Sequence, residues 1–222
     1  MLCIDPVEHS IRDFYEKGTA IVLETQDLIL RSVQETDRKD FQALYTDPEV
    51  MLKFTDNAQR MKEKGASAWT EEQRRKADHQ LQVFLQRFQE KNPFSAFTIF
   101  DKKTGSFEGF IVTGLTSKPG CSEMSAIFRK EAWNKTYATQ ATTAVVTRFL
   151  PALIKVHYQL KGTPPMIANG PFQELIATTR QDNIYVGRIL QKLGMEKTGS
   201  IEKWGYMRDV YRIKYESIPK IV

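Results

Sequence analysis

The 222-residue sequence has little of what disulfide frameworks, metal sites and membrane spans require. Its two cysteines, Cys3 and Cys121, are too few for a disulfide framework, and its three histidines are scattered along the chain. No apolar run approaches the ~20 residues that span a bilayer, and residues 1–10 lack the pattern of a signal peptide. These absences predict a cytoplasmic protein with no metal and no membrane partner.

The charge is nearly balanced, with 32 basic and 27 acidic residues and a formal net charge of +5. Hydrophobic residues make up 41% of the chain and charged residues 27%, which is typical of a globular domain rather than a disordered or fibrous chain. The basic residues are spread along the sequence instead of clustering with aromatic residues, so the sequence predicts no nucleic-acid partner. The sequence is compatible with either a monomer or a homodimer.

Hydrophobic periodicity predicts a single domain of mixed α/β structure, in the order β-α-α-β-β-β-α-β-α-β-β. Residues 1–22 are predicted to form an N-terminal helical appendage and residues 23–222 the domain itself. Residues 70–73, Thr-Glu-Glu-Gln, have the form of a capping box and predict the start of the second helix of the domain. Pro151 is expected to end or kink the helix that follows the three central strands.

Residues 133–139 lie at the junction between a predicted strand and a predicted helix. The first backbone N–H groups of a helix have no acceptor within the helix, and together with the helix dipole they attract anions. Thr136 and Thr139 add hydroxyl groups there, and Lys135 adds a positive charge. The arrangement suits a phosphate or a pyrophosphate, although a solvated junction without a ligand fits the same residues.

Residues 123–141 resemble the acetyl-CoA site of the GNAT superfamily, in particular the group that includes the ribosomal-protein N-terminal acetyltransferases. The residues that match the pattern of this group without a gap are Glu123, Trp133, Lys135, Tyr137, Ala138, Thr139 and Ala141. Further matches lie at residues 23–31, 47–51 and 183–195. The resemblance therefore covers the chain from about residue 23 to residue 215.

This resemblance implies a GNAT-like α/β domain with a central twisted, mixed, mostly antiparallel sheet, flanked by helices and splayed between its fourth and fifth strands. It also implies acetyl-CoA as co-substrate and an amine as acceptor. The positions that match the family's cofactor contacts are Ile127, Phe128, Arg129, Asn134, Lys135, Thr136, Tyr137, Ala138, Thr139, Asn183 and Arg188. For Asn183 a helix N-cap is the competing interpretation, and for Arg188 a solvated surface position.

Two loop residues depart from the family's pattern, because Asn134 and Thr136 stand where the pattern has glycine. Glycine lets the backbone adopt unusual torsions and approach the pyrophosphate closely. Asparagine tolerates such torsions moderately well, whereas a β-branched threonine does so poorly. The two substitutions predict a loop that differs from the family's in its affinity for CoA or in the pose of the bound cofactor.

Glu123 is the predicted catalytic base. An amine near neutral pH is mostly protonated, so its attack on a thioester requires a base, acting directly or through water. The competing interpretation is that Glu123 only forms an ion pair with a basic neighbour. Cys121 shares its strand face, but no histidine lies close in sequence to activate a thiol nucleophile. Leu190 stands where many GNAT enzymes have a tyrosine acid, so the thiol is expected to leave as a thiolate.

The predicted reaction is direct transfer of an acetyl group from acetyl-CoA to a primary amine, either a protein N-terminus or a small molecule. Residues 1–25 and 158–172 are expected to shape the choice of acceptor, because there the chain is least similar to the family. Two alternatives belong to other classes. One is a GNAT-fold protein that binds CoA or a partner without catalysis, and the other is a structural domain that binds no CoA.

Overall fold

The computed structural model describes residues 6–51, 57–156, 158–160 and 170–215. Cys3 and residues 161–169 of the predicted acceptor loop lie outside the described residues. The helices are α1 (Pro6–Lys17), α2 (Arg38–Thr46), α3 (Pro48–Met51), α4 (Asn57–Lys64), α5 (Ala66–Gln89), α6 (Tyr137–Ala144), α7 (Leu150–Lys155) and α8 (Ile184–Lys192). The strands are β1 (Val22–Glu24), β2 (Leu28–Ser32), β3 (Ala96–Asp101), β4 (Phe107–Leu115), β5 (Cys121–Phe128), β6 (Gln159–Leu160), β7 (Gly170–Pro171), β8 (Glu174–Arg180), β9 (Glu196–Lys203) and β10 (Tyr206–Lys214).

Eight of the described strands form one sheet in the order β1-β2-β3-β4-β5-β8-β10-β9. Neighbouring strands run antiparallel except β5 and β8, which run parallel. The short strands β6 and β7 pair with each other outside this sheet. The predicted mixed, mostly antiparallel sheet is therefore confirmed.

Helices cover both faces of the sheet. On one face, α2, α3 and α5 pack on β3, β4 and β5 through an aromatic cluster in which Phe41 stacks on Phe110 with 4.5 Å between ring centroids. On the other face, α1, α6, α7 and α8 pack on the remaining core residues of the sheet. Because side chains alternate along a strand, Glu123 and Ile127 of β5 point to the first face and Met124 to the second.

The N-terminal helix α1 belongs to the main core. Val7, Ile11 and Phe14 are buried in the same hydrophobic cluster as residues of β1, β2 and α7. Burying an aliphatic or aromatic side chain stabilises a fold by about 1.5–3 kcal/mol, so α1 contributes to the free energy of unfolding of the sheet it covers. A domain boundary near residue 22 stays a prediction.

Helix α5 begins one turn earlier than predicted. Its first residue is Ala66, which follows Gly65 with a φ of +78°. Thr70 lies inside the helix and donates its hydroxyl to the carbonyl of Ala66 at 2.8 Å. The capping-box interpretation of residues 70–73 is therefore wrong, because the left-handed torsion of Gly65 sets the boundary between α4 and α5.

Pro151 does not end the helix that contains it. Helix α6 continues through a π-helical segment, Val145–Phe149, into α7, where proline occupies the first turn. In the π-helical segment each backbone hydrogen bond closes a larger ring than in an α-helix. The segment lies just before Pro151, which has no backbone N–H group to donate. One helical run from residue 137 to residue 155 therefore lies along the sheet.

Strands β5 and β8 part halfway along their length. Their parallel pairing ends at Met124 and Ala177, whereas β5 stays paired with β4 as far as Phe128 and β8 with β10 as far as Arg180. Beyond this point the two strands diverge, because β5 follows β4 and β8 follows β10. This is the splay predicted between the fourth and fifth strands of the family's sheet.

Candidate active site

The gap between β5 and β8 exposes backbone groups of β5. The N–H of Arg129 donates to the carbonyl of Glu108 at 3.0 Å. Because hydrogen-bonded pairs alternate along an antiparallel ladder, Ile127 then pairs with β4, and the backbone groups of Ala126 and Phe128 point into the gap. Residues 127–129 were predicted to contact the cofactor, and of these three Phe128 has backbone groups that point into the gap. Sequence analysis missed Ala126, which the two-residue strand period places beside it.

Trp133 ties the loop after β5 to the end of that strand. Its indole N–H donates to the carbonyl of Phe128 at 3.0 Å, and its ring packs against the cluster beneath α2 and α5. The carbonyl of Phe128 is thus engaged, and its N–H is the group that it offers to the gap. The contact also fixes the direction in which the chain leaves the sheet toward α6.

The side chain of Arg129 is engaged away from the gap. Its Nε and Nη2 donate to the two carboxylate oxygens of Glu108 at 3.1 and 2.9 Å. Glu108 is 1% exposed, and the hydroxyl of Ser106 donates to it at 2.7 Å. The guanidinium therefore neutralises a buried carboxylate and holds the end of β5 against the start of β4.

The loop before α6 has the torsions that its residues tolerate. Asn134 has a φ of +58°, in the left-handed region where glycine is favoured and asparagine is among the better substitutes. Thr136 is the N-cap of α6 with φ −75° and ψ 3°, which a β-branched residue adopts without strain. The tolerance expected of Asn134 is confirmed, and the difficulty expected at Thr136 does not arise.

Replacing Asn134 by valine is expected to lower the free energy of unfolding by about 1–2 kcal/mol, because a β-branched residue is strained at positive φ. Replacing it by glycine is expected to leave stability unchanged or to raise it slightly, since the residual strain disappears. Urea unfolding monitored by fluorescence measures both effects. The matched control is Lys135→Val, an exposed neighbour outside the positive-φ region. Equal losses for valine at both positions would contradict the strain argument.

The first turn of α6 presents backbone N–H groups that have no acceptor within the helix. Residues 137–139 precede the first intrahelical hydrogen bond, which runs from the N–H of Gln140 to the carbonyl of Thr136 at 2.9 Å. The turn contains no acidic residue. Thr139 and Lys135 are exposed beside it, and the ammonium of Lys135 lies 5.1 Å from the ring centroid of Tyr137. These features together suit an anion.

Gln140 fixes the position of this helix end, a role that sequence analysis missed. Its amide nitrogen donates to Asp27 Oδ2 at 2.6 Å and to Thr136 Oγ1 at 2.7 Å. Its amide oxygen accepts from the hydroxyl of Thr25 at 2.7 Å and from the N–H of Asp27 at 3.0 Å. Thr25 and Asp27 precede it by 115 and 113 positions, so no local pattern reveals the contacts.

Tyr137 ties the same turn to the end of β3. Its hydroxyl donates to the carboxylate of Asp101. This hydrogen bond lowers the pKa of Asp101 to about 2 and raises the pKa of Tyr137 to about 12. The side chain of Tyr137 therefore positions α6, and its backbone N–H is the group that it presents at the helix end.

Glu123 lies one residue before the point where β5 and β8 part. Its carboxylate accepts from the hydroxyl of Thr178 at 3.4 Å, and the ammonium of Lys203 approaches its two oxygens at 3.4 and 3.5 Å. The side chains of Glu123 and Lys203 are 28% and 32% exposed. The ion pair of the competing interpretation is thus present. It is long and partly accessible to solvent.

A cavity of about 250 Å³ lies between the start of α8, the end of β8 and the middle of β10. Asn183 and Arg188 line it, and both are exposed. Asn183 is also the N-cap of α8, since its side chain accepts from the N–H of Val186 at 3.4 Å. Asn183 therefore caps α8 and also lines the cavity. Arg188 is an exposed surface residue that lines the same cavity.

Two side chains beside the site are enclosed by the core. Cys121 is 1% exposed, and burial raises the pKa of its thiol. A buried thiol with a raised pKa is a poor nucleophile, because the thiolate is the reactive form. Leu190 is 3% exposed and packs in the main core. Neither position offers a nucleophile or a proton donor.

Parallel strands that part beside a helix N-terminus, with a carboxylate where they part, form the arrangement of the GNAT fold. A family model described as an acetyltransferase (GNAT) domain matches residues 27–196. The chain therefore belongs to the GNAT acetyltransferase family.

Solved structures share the fold at low sequence identity. A GNAT-family acetyltransferase from Bacillus anthracis is 16% identical with a TM-score of 0.60, over 87% of this chain and 98% of that chain. The ribosomal L7/L12 alpha-N-protein acetyltransferase RimL in complex with coenzyme A is 12% identical with a TM-score of 0.61, over 89% and 99% of the two chains. Mycobacterium smegmatis RimJ in complex with CoA-disulfide is 13% identical with a TM-score of 0.60, over 90% and 89%. At these identities the likeness shows the fold.

The search of curated protein sequences gave no match. Within the described ranges, no helix has the length and apolar content to cross a membrane. The same part of the chain holds no group of three or more histidine, cysteine, aspartate or glutamate side chains arranged to bind a metal ion.

Proposed function

We propose that the protein transfers an acetyl group from acetyl-CoA directly to a primary amine. The observation that carries this proposal is the position of Glu123 where β5 and β8 part. It is supported by the first turn of α6, which follows β5 in the chain and whose free N–H groups suit an anion. A carboxylate and a phosphate site on the two sides of one gap suit a thioester cofactor and a basic acceptor.

The residues around the gap fit the parts of CoA. The N–H groups of residues 137–139, the hydroxyl of Thr139 and the ammonium of Lys135 are available to the diphosphate. The backbone groups of Ala126 and Phe128 are available to the amides of the pantetheine arm, which then takes the place of the missing strand partner. Asn183 and Arg188 line the cavity between α8, β8 and β10.

Glu123 takes the proton from the attacking amine, directly or through one water molecule. The amine nitrogen bonds to the thioester carbonyl carbon, the carbon–sulfur bond breaks, and CoA leaves as a thiolate. A thiol pKa near the ~8.5 of cysteine makes this departure feasible without a tyrosine acid. The neighbouring RimL acts on a ribosomal protein, so a protein N-terminus is included among the proposed acceptors.

Replacing Thr139 by glutamate is expected to weaken acetyl-CoA binding at least tenfold, because the new carboxylate competes with the diphosphate for the first turn of α6. The same charge should leave protein stability unchanged or raise it slightly, since acidic residues are favourable at helix N-termini. Calorimetry with acetyl-CoA and thermal unfolding measure the two effects. The control is Thr147→Glu, an exposed position two turns later in the same helical run. Equal affinities for the two variants would contradict the phosphate site.

A thiol-release assay with acetyl-CoA and a panel of amines tests the transfer itself. Amine-dependent release is the expected result. Binding of acetyl-CoA without release in the presence of any amine would favour a CoA-binding protein without catalysis. No heat and no thermal shift at millimolar acetyl-CoA would contradict both functions.

A further inference from the structure

The carboxylate of Glu123 belongs to a larger group of side chains on the same face of the sheet. This group, the acceptor-side cluster, consists of Glu123, Thr178, Lys203, Trp204 and Arg208. Lys203 lies 3.4 Å from Glu123, and the hydroxyl of Thr178 links Glu123 at 3.4 Å to the Nε of Arg208 at 3.1 Å. A single hydroxyl therefore separates the proposed base from a guanidinium.

Arg208 is buried with neutral partners. It is 8% exposed, and its Nε and Nη2 donate to the hydroxyl and the carbonyl of Thr178 at 3.1 and 3.0 Å. Within the described chain no carboxylate lies within 4.0 Å of its guanidinium, and burial lowers its pKa. A buried charge without a directly paired counter-ion is unfavourable. Glu123 lies one hydroxyl away and is shared with Lys203, so this site gains stability when a further anion enters.

The bond to the carbonyl of Thr178 also places Arg208 at the gap. In the register of β5 and β8, that carbonyl would be the next acceptor for the N–H of Ala126 if the pairing continued. The guanidinium occupies it instead, where the two strands part. Arg208 therefore faces the place where the acceptor amine meets the thioester, and not only the outer surface of the sheet.

Trp204 gives the cluster an aromatic wall. Lys203 Nζ and the guanidinium carbon of Arg208 lie 4.2 and 5.2 Å from the centroid of its ring. Trp204 is 47% exposed and has a φ of +57°, a torsion that is rare for a bulky residue. The β9–β10 turn thus holds, at a cost in strain, an indole beside both cations, where it adds a surface for packing next to the charged groups.

The acceptor-side cluster contains one more cation than it has carboxylates. Lys203 and Arg208 face one carboxylate, Glu123, while the nearby Arg180 is paired with Asp182 and stacks on Tyr206. We propose that the acceptor carries a carboxylate near the reacting nitrogen, on the side chain of the same residue or of the next one, and that Arg208 and Lys203 bind this carboxylate. The proposal rests on the proposed acetyl transfer and specifies its acceptor class.

Binding of such an acceptor also explains how Glu123 acts as a base beside Lys203. The acceptor carboxylate draws Lys203 away from Glu123, and the amine of the acceptor takes the place of the ammonium at Glu123. An acceptor without an acidic group leaves the Glu123–Lys203 ion pair closed. The same side chains thus couple recognition of the acceptor to the availability of the base.

The test uses three C-terminally amidated tetrapeptides, Ala-Glu-Ala-Ala, Ala-Gln-Ala-Ala and Ala-Arg-Ala-Ala, with glutamic acid α-amide, which keeps its side-chain carboxylate, as a small-molecule arm. For the full chain, kcat/KM for acetyl transfer is expected to be at least tenfold higher with the glutamate peptide than with the glutamine peptide, and lowest with the arginine peptide. In Lys203→Glu the order is expected to invert. Preference for the glutamate amide over the peptides would identify a small acidic amine as acceptor, within the same class.

The control is Lys197→Glu, which makes the same change of charge on the same strand, at a lysine that pairs with Asp209 at 2.7 Å. This variant is expected to keep the order of the unmodified protein. Equal kcat/KM for the glutamate and glutamine peptides, or an unchanged order in Lys203→Glu, would overturn the proposal. Calorimetric binding of the peptides in the absence of acetyl-CoA gives the same order without turnover, so a failure of acetyl transfer and a failure of acceptor recognition are distinguished.

Discussion

Replacement of Glu123 by glutamine is expected to lower kcat/KM for acetyl transfer by about 10²-fold or more, the usual contribution of a positioned general base. Glutamine keeps the size of the side chain and can still accept from the hydroxyl of Thr178, but it takes no proton from the amine. Affinity for acetyl-CoA should stay within a factor of two or so, because Glu123 faces the acceptor side of the sheet rather than the start of α6. Steady-state kinetics and calorimetry measure the two quantities.

The matched control is Glu202→Gln, the same chemical change at an exposed residue of β9. It should leave kcat/KM unchanged. The Glu123–Lys203 pair is partly exposed, and such pairs contribute about 0–1 kcal/mol to stability, so Glu123→Gln should unfold at nearly the same temperature as the unmodified protein. An active Glu123→Gln variant would show that Glu123 serves only as an ion-pair partner.

The parts of this site that sequence reasoning could predict depend on neighbours along the chain. A strand, a short loop and a helix that follow one another place the N–H groups of residues 137–139 without reference to other segments. The same holds for Asn134, whose tolerance of positive φ is a property of its own side chain. The family pattern added the mixed, mostly antiparallel character of the sheet and its splay, which no local period contains.

The parts that could not be predicted depend on contacts across the sheet. Lys203 meets Glu123 from 80 positions away, and this pairing requires the registers of four neighbouring strands, β5, β8, β10 and β9, to be known. The π-helical segment before Pro151 was also not predicted, because a proline in a helical pattern indicates an end or a kink and does not indicate that the preceding turn widens. The error at residues 70–73 had the opposite origin. A local pattern was present, but Gly65 set the helix boundary first.

Replacement of Arg129 by methionine is expected to lower the free energy of unfolding by about 3 kcal/mol, although a cofactor contact was the role first predicted for this residue. The change removes two of the donors to Glu108, which is 1% exposed, and leaves it the hydroxyl of Ser106. Removing one partner of a buried ion pair costs about 3–5 kcal/mol, and the partial exposure of Arg129 places the expected loss at the lower end. Urea unfolding measures it.

A surface pair supplies the comparison. Arg74 lies 3.8 Å from Glu71, and both side chains are 56% exposed, so Arg74→Met should change the urea midpoint very little. The double variant Arg129→Met, Glu108→Met should recover part of the loss, because no buried carboxylate is then left unpaired. Equal midpoints for Arg129→Met and Arg74→Met would mean that Glu108 does not depend on Arg129. Recovery in the double variant, with acetyl-CoA affinity retained, would show that Arg129 supports the site by holding β5 against β4 at the edge of the gap.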